Sequence, residues 1–191
     1  AASFSTVACA SPDSCDWSKP KNTRSPTLTT RCSCVPGSGP DMFWLETMSD
    51  LAEVKAAVSG IRSSSDLPIS ATMSFDTNGH TMMGVSPAVA IEALGEFDLV
   101  SIGANCGTGP EKLQEAVKMM REVNPDAVLV AKANAGLPKM VDDREVYDAS
   151  PEVMAQYALD ARDIGATLIG GCCGNTPEHI RAMAEALRSD E

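Results

Sequence analysis

Residues 167–187 read TLIGGCCGNTPEHIRAMAEAL, and the fold follows from this stretch. Thr167–Ile169 is a short apolar run of the kind that suits a buried parallel strand. Gly170-Gly171-Cys172-Cys173-Gly174 ends it with freely turning backbone. Thr176-Pro177 then places a hydroxyl ahead of a proline. The hydroxyl satisfies a first-turn amide, and proline at the first helical position loses no hydrogen bond, so a helix is predicted from there.

The same strand–turn–helix unit recurs upstream. Apolar runs lie at Met42–Leu45, Ile69–Phe75, Leu99–Ile102 and Ala127–Ala131. Between them, Leu51, Val54, Val58 and Ile61 follow helical spacing, as do Leu113, Val117 and Met120, and then Val153, Tyr157, Ala161 and Ile164. Ser86-Pro87, Gly109-Pro110 and Ser150-Pro151 mark helix starts; Asn124-Pro125 and Gly165 mark stops. Strands alternating with helices predict an α/β fold with parallel strands. Periodicity leaves two versions open, an open doubly wound sheet and a (β/α)8 barrel. No G-x-G-x-x-G follows the first strand, which counts against the dinucleotide-binding version.

Residues 1–40 differ in character. They contain 18 Ser, Thr or Pro and a net charge of +2, whereas residues 41–191 carry −13 of the chain's −11 total. Without a helical or strand period, 1–40 is expected to be an irregular segment and 41–191 the folded domain. Cys9, Cys15, Cys32 and Cys34 fall in the first part, and Cys32-Ser33-Cys34 lacks the spacing of common zinc knuckles. The acidic surface excludes nucleic acid and anionic membrane as expected partners, because both need a basic footprint. No run of 18 apolar residues predicts a membrane span. Residues 1–10 have neither the basic start nor the apolar centre of a signal peptide. Seven cysteines, two of them adjacent, suit a reduced, cytoplasmic setting with thiols free for metal rather than a disulfide framework.

Reactive and polar residues gather after each predicted strand: Glu46-Thr47, Asp76, Asn105-Cys106-Gly107, Asn134-Ala135-Gly136 and the GGCCG turn. Strand C-termini share one face of an α/β fold, so Glu46, Cys106, Cys172 and Cys173 are expected together. Neighbouring residues of a regular strand point to opposite faces; Cys172 and Cys173 share a ligand only where the strand has ended, and the glycines permit that. Three thiolates leave a metal one open position, and soft sulfur favours zinc over magnesium or calcium. A cysteine at a strand end is otherwise a small core residue. His80 is expected in a solvent-facing turn, His179 in a structural helix start, Asp142–Glu145 in a solvated loop, and at least one of Phe43 and Trp44 in the core.

On these residues the chain resembles the homocysteine S-methyltransferase family. The matching segments are LETMSDLAEVKAAV (45–58), PISATMSFDTNGHTMMGVSP (68–87), IGANCGTGPE (102–111), ANAGLP (133–138) and IGGCCGNTPEHIRAMAEAL (169–187). The resemblance implies a (β/α)8 TIM-type barrel. The last five βα units are present; the first three, with the family's D-G-[AG]-M-G-T segment, are expected to be missing. It implies zinc held by Cys106, Cys172 and Cys173, and substrate contacts at Glu46 and Asn105. It implies methyl transfer to homocysteine, giving methionine, from betaine, S-methylmethionine or a methylcobalamin or methyl-folate protein. A barrel without three strands has open edges. The alternative expectation is therefore an inactive or split fragment that binds zinc or pairs with a complementary barrel fragment or a second copy.

Overall fold

A computed structural model describes residues 41–142 and 144–189. The expected irregular segment at 1–40, with its four cysteines, lies outside the described residues.

Five strands form one parallel sheet: β1 (Phe43–Met48), β2 (Ile69–Met73), β3 (Ser101–Cys106), β4 (Leu129–Ala133) and β7 (Ala166–Gly171). Helices α1 (Leu51–Arg62), α2 (Pro87–Gly95), α3 (Pro110–Val123) and α4 (Pro151–Asp163) make the crossovers, and α5 (Pro177–Ser189) follows the last strand. The spatial order is β1-β2-β3-β4-β7, the order along the chain. Each strand adds on the same side as the one before it. With right-handed crossovers, such an order puts every helix on one face and leaves no reversal point. This is barrel winding rather than doubly wound topology.

Alternation along the strands separates the faces. Leu45, Ile69, Ala71, Met73, Ile102, Leu129 and Ala131 pack under the helices, against Val54, Ile91, Leu94, Val117, Met120 and Met154. The inner face carries Trp44, Glu46, Ser70, Thr72, Ser101, Asn105, Val130 and Lys132. Its polar atoms are paired within the face: the Ser70 and Ser101 hydroxyls lie 2.6 Å apart, and Trp44 Nε1 donates to Thr72 Oγ1 at 3.3 Å. Lys132 on β4 forms an ion pair with Glu46 on β1. Three strand spacings, about 14 Å in a flat sheet, separate those strands, so the sheet must be strongly concave for the two side chains to meet. The outer edges of β1 and β7 have no strand partner among the described residues.

The local signals act as expected at the helix starts. Ser86 and Ser150 accept the amides of Val89 and Val153, each ahead of a proline in the first turn. At α5 the capping differs: Thr176 N–H donates to His179 Nδ1 at 3.0 Å, and the Thr176 hydroxyl turns to Glu178. His179 is buried, and its Nε2 meets the carbonyl of Ala149 at 2.9 Å, so it ties α5 to the loop before α4.

Three expectations are corrected. Val153 is 52% exposed, and Met154 takes the core position in α4 beside Tyr157, Ala158 and Ala161. Tyr157 and Ala161 keep their expected core places, and Met154 joins them in place of Val153 because 154, 157, 158 and 161 form a closer i, i+3, i+4, i+7 stripe. Next, Asp142–Glu145 is not simply a loop. β5 (Lys139–Val141) and β6 (Arg144–Val146) pair antiparallel there, and Asp142 turns the chain at φ 49°. Met140 in this hairpin is 67% exposed, so the apolar alternation that betrays a buried strand never arises. Finally, β3 begins two residues later than the run Leu99–Ile102 and continues through Gly103-Ala104-Asn105-Cys106. A central strand between tightly spaced neighbours takes small residues, which the apolar count overlooks.

Candidate metal centre

The centre is built where β1, β3, β4 and β7 end. Cys106, the last residue of β3, has a left-handed backbone at φ 65°, followed by Gly107 at φ 76°. Thr47 near the end of β1 is left-handed too, at φ 59°. A β-branched residue avoids that region, so local bonds must hold it there. Asn105 does so. Its Oδ1 accepts the Thr47 N–H at 2.9 Å, and its Nδ2 donates to Thr47 Oγ1 at 2.7 Å. The same Nδ2 lies 3.8 Å from Cys172 Sγ, so Asn105 links the rim of β1 to the thiol turn after β7.

Cys172 and Cys173 follow the last glycines of β7. Cys172 N–H donates to Ala133 O at 2.7 Å, and Ala135 N–H to Cys173 O at 2.9 Å. Gly174 turns at φ 77°, and a Cβ there would strike the Tyr147 ring, with Cδ2 at 2.7 Å. Asn134 bridges the two thiol-bearing turns: Oδ1 accepts the Cys173 N–H at 3.0 Å, and Nδ2 donates to Gly107 O at 2.9 Å. Asn175 Nδ2 donates to Ala133 O at 2.9 Å and closes the turn from the other side.

The result is a cluster of three thiols. Cys106 and Cys173 Sγ are 3.8 Å apart, Cys172 and Cys173 Sγ 3.9 Å, and all three lie within 4.8 Å of one another. Tetrahedral coordination at a metal–sulfur distance of about 2.3 Å requires sulfurs about 3.8 Å apart. The donor set therefore fits a soft, thiolate-bound metal ion with a fourth position left open.

The three thiols are electrostatically unequal. The Cys106 thiol beside it, the Asn105 amide and the Cys173 backbone N–H favour the thiolate of Cys172 and lower its pKa to about 6, against the opposing effect of burial. Cys106 is pushed up, chiefly by its hydrogen bond to Cys172 and then by burial; Cys173 is pushed up by burial and by the charge on Cys172. The metal-free cluster thus holds one charge on Cys172, and the other protons leave when a cation arrives. As pH rises through about 6, the Cys172 thiolate fraction of the metal-free chain rises. Alkylation followed by peptide mass mapping is expected to label Cys172 with a midpoint near that pH, well below Cys106 and Cys173.

Sequence reasoning singled out Cys106, Cys172 and Cys173, and the fold brings them together. Glu46 lies on the inner face at the same rim, bonded to Lys132. Asn105 is buried and fully engaged with Thr47 and Cys172. His80 is exposed and His179 is a structural bridge, so neither joins the cluster. Lys132 and Asn175 carry no signal in the sequence, and Asn134 shows there only as a polar residue at a strand end. For Asn134 the available signal was its place directly after a strand, like Asn105. Asn134→Ala is expected to weaken metal binding by about 10–100-fold with the ligands intact, as measured by chelator competition.

The fold and the site define a barrel-wound α/β protein with a three-thiol centre at the carboxyl ends of its strands. The family model described as "Homocysteine S-methyltransferase" matches residues 21–187, and the chain belongs to that family. The methionine synthases of Mycobacterium tuberculosis and Mycobacterium leprae are 34% and 33% identical over 155 residues. That stretch is 78% of this chain and 13% of each relative, so the chain spans about an eighth of their length. Among solved structures, the apo form of the homocysteine methyltransferase MmuM from Escherichia coli aligns with a TM-score of 0.62 at 22% identity. The alignment covers 78% of this chain and 50% of that one. Its metallated form aligns at 0.61 and 22%, covering 77% and 45%. These likenesses agree with the fold. No helix among the described residues is long and apolar enough to cross a membrane.

Proposed function

We propose that the chain carries the zinc-binding part of a methyltransferase that moves a methyl group to the thiol of homocysteine, giving methionine. The observation that carries this reading is the three-sulfur cluster, with Cys173 Sγ at 3.8 and 3.9 Å from the other two and all three within 4.8 Å. Cys106, Cys172 and Cys173 would hold the zinc, whose chemistry when bound is to lower the pKa of a substrate thiol at its open position.

The chain's own residues do the rest. Asn105 and Asn134 fix the thiol-bearing turns before substrate arrives, so little reorganisation is needed. Glu46 offers a carboxylate to the substrate ammonium, and Asn105 borders the same end of the site. The substrate sulfur attacks the donor methyl carbon as a thiolate. A carbon–sulfur bond forms, the bond from methyl to donor breaks, and its electron pair leaves with the donor. The thiol proton passes to solvent, so no side-chain general base is required. The donor is proposed among betaine, S-methylmethionine and a methylcobalamin or methyl-folate protein. A cytoplasmic, reduced setting is proposed because the reaction needs free thiols.

The outer edges of β1 and β7, without a strand partner among the described residues, favour a second reading, in which the chain binds zinc but acts only with a complementary barrel fragment or a second copy. Metal analysis of the purified chain, with X-ray absorption before and after homocysteine, tests the first. About one zinc with three sulfurs, rising to four with homocysteine, supports it. No stoichiometric zinc, or zinc lost only when Cys9, Cys15, Cys32 and Cys34 are replaced, overturns it. A chain that binds zinc and homocysteine yet turns over only with an added barrel fragment supports the second.

A further inference from the structure

Lys132 occupies the inner face of β4 at the level of the thiol rim. In the parallel register it stands opposite Asn105 on one side and Gly170 on the other. Asn105 touches Cys172 Sγ, and Gly170 begins the GGCC turn, so adjacent strands about 4.8 Å away carry the thiol site on both flanks. Its ammonium forms the ion pair with Glu46 and sits 5.1 Å from the centre of the Trp44 ring. The side chains of Lys132 and Glu46 are 26% and 29% exposed. A Cβ at Gly170 would lie 3.6 Å from Lys132 Cγ, an ordinary packing distance, so the lysine stem runs alongside β7 next to the GGCC turn.

We propose that Lys132 is the residue that reads the α-carboxylate of the substrate. This inference rests on the reading of the site as one for an amino-acid thiol. About three-quarters of each side chain is out of solvent, so the desolvation of the two charges offsets much of their attraction, and the pair is weak evidence for a stabilising role. Glu46 and Lys132 together present one negative and one positive charge at the edge of the cluster. The head of an α-amino acid carries the complementary two. Inserted between them, its ammonium takes Glu46 and its carboxylate takes Lys132. One ion pair becomes two, and the net charge of the site is unchanged.

The two partners differ in mobility in the way this exchange requires. Glu46 is followed by Thr47, whose backbone and hydroxyl are clamped by Asn105, so the carboxylate is anchored from one side. Lysine is a point charge on a flexible four-carbon stem, and it moves to the ligand without a fixed bonding geometry. The Trp44 face holds the ammonium between the two positions. Among the described residues, no other lysine or arginine forms an ion pair on the inner face of the sheet.

The test compares three thiols on the metal-loaded full chain by calorimetry: homocysteine, 3-mercaptopropylamine, which lacks the carboxylate, and 4-mercaptobutyrate, which lacks the ammonium. In the wild type, deleting the carboxylate is expected to weaken binding about tenfold. Lys132→Met is expected to weaken homocysteine and 4-mercaptobutyrate by about the same factor and not to weaken 3-mercaptopropylamine, whose ammonium no longer competes with Lys132 for Glu46. Lys132→Arg is expected to keep the preference for the carboxylate. Equal weakening of all three thiols by Lys132→Met, or no weakening of any, overturns the assignment while leaving the thiol site standing. Should Lys132→Met fail to fold, a wild type and Lys132→Arg that bind homocysteine and 3-mercaptopropylamine equally overturn it as well. Failure of every thiol to bind the metal-loaded wild type overturns the proposed function, and this inference with it.

Discussion

Cys172→Ala is expected to bind zinc about a hundredfold more weakly than the wild type. Structural zinc in small thiolate and imidazole sites is held by about 10–16 kcal/mol shared among its ligands, so one thiolate accounts for roughly 3 kcal/mol, or about a hundredfold. Cys172 is the strongest test of the three. It is the thiol whose pKa is lowered, by the Cys106 thiol first and then by Asn105 and the Cys173 N–H. The substitution leaves the backbone bond from residue 172 to Ala133 O in place, so the turn is expected to survive. Chelator competition gives the affinity, and circular dichroism checks the fold. Replacing Cys9, Cys15, Cys32 and Cys34 together is the control, with metal content expected unchanged. Full zinc retention by Cys172→Ala would remove Cys172 from the ligand set.

The second large effect concerns the scaffold. Gly103→Ala is expected to lower stability by about 3 kcal/mol, at the upper end of the usual cost of overpacking. Gly103 lies mid-strand in β3, facing Val130 of β4 across the register. A Cβ there would run into the carbonyl of Val130, with the carbonyl carbon and the Val130 Cβ both at 2.7 Å. The obstacle is backbone in the middle of a sheet and has no rotamer to yield. Relief requires β3 and β4 to separate, and these strands carry Cys106, Lys132 and Asn134 at or beyond their ends. A fall in Tm of about 10 °C follows for a domain of this size, read by thermal denaturation. Gly60→Ala is the counterpart. Gly60 is exposed in α1 with nothing within 4 Å of the added Cβ, and the change is expected to stabilise by about 0.5–1 kcal/mol. Equal Tm values for the two variants would show that Gly103 does not lie against the Val130 backbone.

Both predictions concern residues whose legibility in the sequence differs sharply. Cys172 announced itself: adjacent cysteines inside a glycine turn after an apolar run are rare, and strand ends meet on one face. Gly103 did not, because a glycine inside an apolar run looks the same whether it borders open space or a neighbouring backbone. Lys132 was equally silent. Its partner Glu46 is 86 residues away in sequence, and the two meet only because the sheet curves. Asn134 and Asn105 showed as polar residues at strand ends, but which turns they join depends on how β3, β4 and β7 are aligned.

The sequence by itself determined the alternation of strands and helices, the serine–proline helix starts and the common rim of Cys106, Cys172 and Cys173. Each of these follows from contacts within a few residues or from the rule that parallel strands end on one side. Only the tertiary structure decided the close approach of the three sulfurs, the asparagine bridges between the thiol turns, the Lys132–Glu46 pair, the choice of Met154 over Val153 and the β5–β6 hairpin. These depend on register, helix rotation and sheet curvature, which are set by packing summed over the whole domain and leave no mark on any short stretch of the chain.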